Sequence, residues 1–342
     1  MKAAILVKQN EPLVVDNVEI PSLNVGQVLI KVKFSGICGK QVDEIIGKRG
    51  DDPYLPHLLG HEGAGIVEDI GPGVRKVKAG DHVVLHWMKS SGIESAAPRF
   101  TWNREVVSAG WVTTFSEYTI ASENRITLIP PDIKFDIASL LGCAVTTGLG
   151  IVFNDANLKP GQSVAIFGAG GIGLNIVQGA ALVNSYPIAA IDLNKEKLDL
   201  ASSLGATHII NSNQTDVEAY LMELSRGKGF NVTIDTTGVS DVFQLAYKTA
   251  SNTGKVVMAG VLDHLKPITI DAFPLHFGRQ IIGSHGGNTR PDIDIPRYIQ
   301  LYQHGKLKLD ELITHRYRLD EINIAMDTIR RGEAGRCVIT TT

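Results

Sequence analysis

Gly168-Ala169-Gly170-Gly171-Ile172-Gly173 follows the apolar run Ser163-Val164-Ala165-Ile166-Phe167 and precedes a segment whose apolar residues have helical spacing. In a strand, loop and helix of this kind, the first glycine permits a sharp turn and the second lets a pyrophosphate approach the backbone. The third lets the helix pack closely on the strand. Because the amides at the helix N-terminus then face the phosphates, this stretch predicts a dinucleotide-binding βαβ unit.

An acidic residue follows the next predicted strand. Asp192 comes directly after the apolar run Ile188-Ala189-Ala190-Ile191, nineteen residues beyond Gly173. Its carboxylate can accept hydrogen bonds from ribose hydroxyls and would repel a 2′-phosphate, so it favours NAD over NADP. The alternative is an N-terminal cap for the helix predicted from Lys195.

Composition restricts the class of protein. The chain has 342 residues, which is long enough for two domains, and it carries 33 Lys and Arg against 36 Asp and Glu. The near balance, without a basic run, gives no reason to expect nucleic acid or a membrane surface as a partner, so a small-molecule substrate is expected. Three cysteines, no signal peptide and no long apolar stretch predict a reduced, cytoplasmic protein.

The pattern of elements changes along the chain. Residues 1–144 alternate short apolar strands with Gly- and Pro-containing turns and predict a β domain, within which 86–110 is expected to be a long loop or lobe. Residues 145–284 predict a doubly wound parallel sheet. Residues 285–342 are expected to return to the first domain, with a helix at 292–304 and a last strand at 336–341. The predicted elements of the middle part are 163–168, 170–184, 188–192, 195–204, 231–236, 241–250 and 255–261.

Three short motifs carry side chains that can bind a metal: Gly36-Ile37-Cys38-Gly39, Gly60-His61-Glu62-Gly63 and Leu141-Gly142-Cys143-Ala144. Two thiolates and an imidazole suit a catalytic zinc that keeps its fourth position open. Their separation in sequence is wide, however, and a single Cys or His is also compatible with ordinary packing.

Together these motifs resemble the zinc-dependent alcohol dehydrogenases of the medium-chain dehydrogenase/reductase family, over essentially the whole chain. Gly71-Pro72-Gly73-Val74, Gly80-Asp81-His82-Val83 and Asp235-Thr236-Thr237-Gly238 add to the resemblance. It implies an α/β protein with a GroES-like β-rich catalytic domain and a Rossmann domain. It also implies one catalytic zinc held by Cys38, His61 and Cys143, with Glu62 behind the metal as a group that approaches it or as a purely structural carboxylate.

The resemblance also implies contacts with cofactor and substrate. Trp87 and Phe115 match positions of the substrate pocket, although either could equally be a core residue. Lys197 matches a ribose contact, and Arg336 matches a residue that pairs with the pyrophosphate. The full set of implied cofactor contacts is Thr147, Gly168, Gly170, Gly171, Ile172, Gly173, Asp192, Lys197, Thr236, Val261 and Arg336.

The chain departs from the family beside its first ligand. Lys40 and Gln41 stand where many relatives have a relay hydroxyl and an Asp that supports the ligand histidine. We therefore consider Lys40 as a proton acceptor or a substrate-hydroxyl donor, and Asp43 as a group that passes protons to solvent. The alternative is that Lys40 points to solvent or pairs with Asp43. The four-cysteine lobe of a second, structural zinc is absent from 86–110, so one zinc per chain is expected, and Cys337 is expected to be a packing residue.

The expected activity is reversible hydride transfer between an alcohol and NAD that yields an aldehyde or ketone, with polyols and sugar-derived alcohols among the candidate substrates. Two alternatives are a zinc-free quinone or enone reductase of the same fold and a non-catalytic NAD-binding protein. We expect a homo-dimer or homo-tetramer, because 267–270 and 280–282 are predicted to form apolar strands at a sheet edge.

Overall fold

The computed structural model describes residues 1–48, 50–262 and 266–341. The strands are Lys2–Leu6 (β1), Val14–Asn17 (β2), Gln27–Ile37 (β3), His57–Leu58 (β4), Glu62–Ile70 (β5), His82–His86 (β6), Arg99–Trp102 (β7), Glu105–Ser108 (β8), Tyr118–Ser122 (β9), Ile126–Leu128 (β10), Val164–Phe167 (β11), Ile188–Asp192 (β12), His208–Asn211 (β13), Phe230–Asp235 (β14), Ala250–Met258 (β15), Gln280–Gly283 (β16), Ile313–Arg318 (β17) and Arg336–Thr340 (β18). The α-helices are Gly39–Ile45 (α1), Phe135–Leu140 (α2), Ala144–Gly150 (α3), Gly171–Leu182 (α4), Lys195–Ser203 (α5), Val217–Leu224 (α6), Ser240–Lys248 (α7), Pro291–Gln303 (α8) and Ile322–Arg330 (α9).

The chain divides into two compact units. The first unit consists of Met1–Ala144, Arg290–Tyr302 and Ile313–Thr342. It contains a five-stranded sheet in the order β2-β1-β4-β8-β7 and a seven-stranded sheet in the order β10-β6-β5-β3-β18-β17, in which β9 also pairs with β3. Long β3 is buried along most of its length, as its alternating apolar residues predict, and it leads directly to Cys38.

The second unit, Val145–Thr289 with Gln303–Leu312, is built on a parallel sheet in the order β13-β12-β11-β14-β15-β16. Strand β11 lies in the middle, and the order reverses beside it, as it does in dinucleotide-binding folds of this class. Its Val164–Phe167 side chains are all buried because helices and neighbouring strands cover them. The predicted fold class, a β-rich domain together with a Rossmann-type parallel sheet, is confirmed.

The last part of the chain differs from the prediction that all of 285–342 returns to the first unit. Residues 285–289 and Gln303–Leu312 belong to the second unit. Polar contacts of Lys308 hold Gln303–Leu312 in the second unit. Its backbone N–H donates to Gln178 Oε1 at 2.7 Å, and its Nζ donates to the Ser203 carbonyl at 2.8 Å.

Two other predictions need correction. The segment 86–110 is not all loop, because β7 and β8 form a hairpin across Asn103 and Arg104, which both have positive φ (51° and 67°), as two-residue hairpin turns require. Residues 267–270 do not form a strand: the Thr269 N–H donates to the Gln244 side chain at 3.2 Å instead of joining the sheet. Gln280–Gly283 does form an edge strand.

Within 1–48, 50–262 and 266–341, we find no helix with both the length and the apolar character needed to cross a bilayer.

Candidate active site

Three potential metal ligands converge in the first unit. Cys38 follows β3, His61 precedes β5, and Cys143 lies between α2 and α3. One ligand atom from each residue lies within 4.8 Å of the others. The three motifs that are far apart in sequence therefore meet at one point.

Glycines make this convergence possible. Gly60, just before His61, has a φ of +92°, and a Cβ there would lie 2.8 Å from the Thr114 backbone nitrogen. A Cβ on Gly142, just before Cys143, would lie 2.3 Å from the Leu85 carbonyl oxygen. Both distances are too short for any side chain. His61 and Cys143 therefore each come directly after a glycine whose backbone packs against the backbone of another segment.

The protonation of the cluster favours a cation between the ligands. Cys143 donates a hydrogen bond to Cys38, which lowers the pKa of Cys38 well below its usual range and raises that of Cys143. Burial opposes charge on His61, but the adjacent Cys38 still raises the pKa of this imidazole. His61 Nε2 is buried and has no hydrogen-bond partner among the residues described. Zinc binds cysteine sulfur and histidine nitrogen, so these two sulfur atoms and the free ring nitrogen of His61 fit a zinc ion.

Glu62 lies beside the cluster but is not a member of it. It is fully buried and forms an ion pair with Arg336, which is 5% exposed, and its other oxygen accepts the Ala144 N–H at 3.3 Å. Burial raises the pKa of Glu62 even though the positive charge of Arg336 opposes this. Both oxygens of the Glu62 carboxylate are thus engaged by Arg336 and Ala144, and its predicted approach to a metal stays a prediction. Arg336 contacts this carboxylate, and its pyrophosphate role stays a prediction.

The residues that depart from the family take different positions. Lys40 Nζ lies 3.9 Å from Glu44 Oε1, and the alternative that it points to solvent or pairs with Asp43 stays a prediction. Asp43 lies 3.4 Å from Lys48. Gln41 is 1% exposed, and its Nε2 lies 2.5 Å from His61 Nδ1. The proposed proton-transfer roles of Lys40 and Asp43 stay predictions.

A cavity of about 570 Å³ opens beside His61 within the first unit. Of the two predicted substrate-pocket residues, Trp87 lines this cavity and Phe115 does not, and a contact of Trp87 with substrate stays a prediction. Phe115 is 1% exposed and packs in the core with Leu6 and Ile37, so the alternative of a core residue is correct for it. Other lining residues with aromatic or charged side chains were not predicted, namely Glu44, Asp52, Tyr54, His57 and Trp111.

No motif marks these missed residues. Asp52, Tyr54 and Trp111 come from irregular segments, and Glu44 and His57 lie in the short elements α1 and β4, so hydrophobic spacing does not reveal that they meet. The only signal is the concentration of aromatic residues in polar surroundings. Trp111 and Tyr54 are 58% and 69% exposed, which is unusual for large apolar side chains.

The glycine loop of the second unit has the geometry that its sequence predicts. Gly168 has a φ of +96°, and a Cβ on Gly173 would lie 1.8 Å from the Gly168 carbonyl oxygen. Gly170 is the N-cap of α4, and a Cβ there would meet no atom within 4 Å. The first and third glycines are therefore required by the fold, and the second leaves open space at a helix N-terminus, where a phosphate fits.

Asp192 reaches this loop. Its Oδ2 accepts the Ala169 N–H at 2.7 Å and its Oδ1 accepts the Asn194 N–H at 2.9 Å. The cap of α5 is Asn194, whose side chain accepts the Lys197 N–H, so the alternative that Asp192 is the helix cap is wrong.

The remaining predicted cofactor residues of the second unit have varied environments. Thr236 Oγ1 donates to the carbonyls of Phe167 and Gly168 at 3.0 and 3.1 Å, next to the loop. Val261 is 53% exposed and Thr147 is 7% exposed. Lys197 is partly buried, and Gly171 and Ile172 begin α4. Their contacts with a cofactor stay predictions.

Carboxylates hold residues 87–98, the segment after β6, which contains no cysteine. Glu123 accepts three backbone N–H groups, from Arg75, Lys76 and Ile93, at 2.6, 2.7 and 2.9 Å. Glu94 forms ion pairs with Lys89 and Arg125, both at 2.9 Å.

Asp292 joins the same segment from α8. Its oxygens accept the Ser91 N–H at 2.7 Å and contact Lys76 Nζ at 2.5 Å. Burial opposes ionisation, yet these partners lower the pKa of Asp292 to about 2, and Lys89, Arg125 and Asn124 likewise lower that of Glu94 to about 2. The ionised carboxylates thus stabilise the folded segment.

The chain belongs to the zinc-dependent alcohol dehydrogenases of the medium-chain dehydrogenase/reductase family. Residues 24–131 match the model of the alcohol dehydrogenase GroES-like domain, and residues 171–304 match that of the zinc-binding dehydrogenases. It is therefore an oxidoreductase that acts on CH–OH groups, and the zinc-free reductase and non-catalytic alternatives are not favoured.

Individual relatives agree with this assignment. The chain is 34% identical to S-(hydroxymethyl)glutathione dehydrogenase of Escherichia coli and 32% identical to alcohol dehydrogenase class-3 of Cereibacter sphaeroides, over 99% of each chain. Its fold is similar to that of benzyl alcohol dehydrogenase from Acinetobacter calcoaceticus, with 28% identity, a TM-score of 0.91 and coverage of 100% of this chain and 99% of the other.

We expect acid to loosen the segment after β6. The pKa values of Glu94 and Asp292 are lowered from 4.5 and 3.8 to about 2, so the stability they confer is complete above the higher values and is lost as the pH falls toward about 2. All three tryptophans lie between positions 87 and 111, so intrinsic fluorescence reports on this region. Asp292→Asn should give a weaker pH dependence of the fluorescence in this interval. An identical acid transition in wild type and variant would contradict the assignment.

Proposed function

We propose that this protein oxidises an alcohol to an aldehyde or ketone, reversibly, with NAD as hydride acceptor and with zinc held by Cys38, His61 and Cys143. The observation that carries the proposal is the approach of three ligand atoms to within 4.8 Å of one another, next to a cavity that His61 also lines. A ligand set of two sulfurs and one nitrogen leaves a fourth position for a substrate oxygen.

The residues of the chain have separate tasks in this reaction. Zinc would supply polarisation of the substrate oxygen, and the nicotinamide ring would accept the hydride. Cys38, His61 and Cys143 hold the metal, while the buried Glu62 and Arg336 pair fixes the charge behind them. The walls of the cavity orient the alcohol carbon and limit access of water.

Purified protein should contain one zinc per chain and form NADH from an alcohol. Cys38→Ser and Cys143→Ser should each lose most of the zinc and the activity, because each removes a thiolate ligand. Elemental analysis and NADH absorbance measure the two properties. Cys337→Ala is the matched control, since Cys337 is a fully buried core residue outside the cluster. Zinc content unchanged in both serine variants would refute the site.

The preference for NAD is proposed from the position of Asp192. Its carboxylate is fixed against the glycine loop by the Ala169 and Asn194 amides, and a negative charge at the end of this strand would repel a 2′-phosphate. Gly170 and the N-terminus of α4 support the pyrophosphate.

Asp192→Ala should therefore lower kcat/KM for NAD and raise it for NADP. The reason is that the variant loses a ribose acceptor and also removes the repulsion of a 2′-phosphate. Steady-state kinetics with both cofactors measure the ratio. Asp199→Ala is the control, because Asp199 is an exposed acid of α5 that pairs with Lys195. A wild-type enzyme that uses both cofactors equally would contradict the ribose role.

The cavity supports an uncharged alcohol that carries a ring. Tyr54, Trp87 and Trp111 offer faces on which a ring can pack, and Glu44 and Asp52 are acidic. Among the described lining residues there is no Lys or Arg that would attract a carboxylate. The name of the benzyl alcohol dehydrogenase relative agrees with such a substrate, whereas the anionic glutathione adduct named for the Escherichia coli relative fits this lining less well.

Trp87→Ala should raise KM for benzyl alcohol by about 2- to 10-fold, the value of one aromatic contact. Phe115→Ala should instead lower stability by about 3–5 kcal/mol and leave KM unchanged, because Phe115 belongs to the core. Alcohol kinetics and thermal unfolding separate the two effects. The same kinetics with inositol and S-(hydroxymethyl)glutathione test the polyol and anionic alternatives, and faster turnover of the anionic adduct would overturn the substrate class.

We also propose that copies of the chain associate along the edge strand β16. Phe273 and Phe277 next to this edge are 66% and 58% exposed, and an apolar sheet edge favours association. Sedimentation at the mass of a single chain would contradict this.

A further inference from the structure

The orientation of the Gln41 side-chain amide is fixed by the backbone. The Cys38 N–H donates to Gln41 Oε1 at 3.0 Å, as part of the capping box of α1. A backbone N–H can only donate, so the amide atom that faces it must be the oxygen. Gln41 Nε2, which can only donate, therefore lies against His61 Nδ1 at 2.5 Å.

This arrangement suits the metal-free imidazole and opposes the metal-bound one. With Nδ1 on Gln41, the ring nitrogen left for a metal is Nε2, which is buried and has no hydrogen-bond partner among the described residues. A neutral imidazole that binds a metal through Nε2 carries its proton on Nδ1. That N–H would then point at the amide N–H of Gln41. Ligand histidines usually donate this N–H to a carboxylate, a carbonyl or water.

The amide cannot resolve the conflict by turning over. Rotation by half a turn would offer Oε1 to His61, but it would put Nε2 against the Cys38 N–H. Either way two donors face each other at a side chain that is only 1% exposed, where an unmade hydrogen bond is costly. The single amide oxygen of Gln41 is the acceptor for which two donors compete, the backbone N–H of Cys38 and the Nδ1–H of His61.

We propose that Gln41 is a positioning residue that weakens zinc binding, so that this enzyme holds its metal less tightly than it would with a carboxylate at this position. The inference rests on the zinc assignment made above. It concerns the strength of binding, whereas that assignment concerns the identity of the ligands.

Gln41→Glu is the direct test. A glutamate has nearly the same shape, and its two oxygens can accept the Cys38 N–H and the His61 N–H at the same time. Competition with a chromophoric chelator should give a zinc Kd about 10- to 100-fold lower than that of the wild type, the range typical for partners of ligand histidines. The shorter Gln41→Asp removes the opposed amide N–H and should also bind zinc more tightly.

Two controls separate the hydrogen bond from charge. Gln178→Glu adds a carboxylate at another buried glutamine, whose Oε1 accepts the Lys308 N–H in the second unit, and should leave the zinc Kd unchanged. Glu44→Gln removes a charge that acts on His61 without lying on its Nδ1, and its effect should be much smaller than that of Gln41→Glu.

The outcomes are distinct. A zinc Kd in Gln41→Glu and Gln41→Asp equal to or higher than that of the wild type would overturn the inference, as would a loss of affinity in Glu44→Gln as large as the gain in Gln41→Glu. A higher Tm of metal-free Gln41→Glu with an unchanged Kd would reduce Gln41 to a helix cap and also overturn it. If the wild type binds no zinc that depends on Cys38 and Cys143, the proposed function itself fails.

Discussion

The close packing of backbone against backbone at Gly60 and Gly142 is the constraint on which the site depends. A Cβ on Gly142 would also lie 2.9 Å from the Glu62 Cα, so the chain before Cys143 presses directly on the strand that begins beside His61. Any side chain at these positions would separate the strands and with them the ligand atoms. The short ligand distances are thus a consequence of sheet packing, and the metal does not have to pull the segments together.

The same close packing makes room for a buried charge pair. A Cβ on Gly36 would lie 2.7 Å from the Glu62 carboxyl carbon and 3.0 Å from a guanidinium nitrogen of Arg336. An isolated charge at this depth would be strongly unfavourable, but the two charges compensate each other. The positive charge of Arg336 adds to the hydrogen bond from Cys143 in lowering the pKa of Cys38, and it opposes the rise in the pKa of Cys143.

Local sequence was sufficient to predict those features that depend on backbone geometry. The glycine loop could be recognised because only glycine meets two of its requirements. Gly168 has a positive φ, and Gly173 lies too close to the Gly168 carbonyl oxygen for a side chain. The convergence of Cys38, His61 and Cys143 could be predicted only through the family resemblance, since their spacing alone does not bring them together. The departure at Lys40 and Gln41 was visible in the sequence, but the partner of each side chain was not.

Features that depend on tertiary contacts could not be predicted from pattern. Phe115 and Trp87 are both aromatic residues of the β-rich unit, and only the packing around them decides that one belongs to the core and the other to the cavity. The segment after β6 is a similar case, because Glu123 and Asp292 reach it from distant parts of the chain. Within this segment the Ile93 and Ser91 N–H groups donate to the carboxylates of Glu123 and Asp292, so it is held by hydrogen bonds to charged acceptors. Trp87 lies at the start of this segment. Its carbonyl accepts a hydrogen bond from Arg125, which is itself paired with Glu94. The absence of cysteines is therefore compatible with an ordered wall around the cavity.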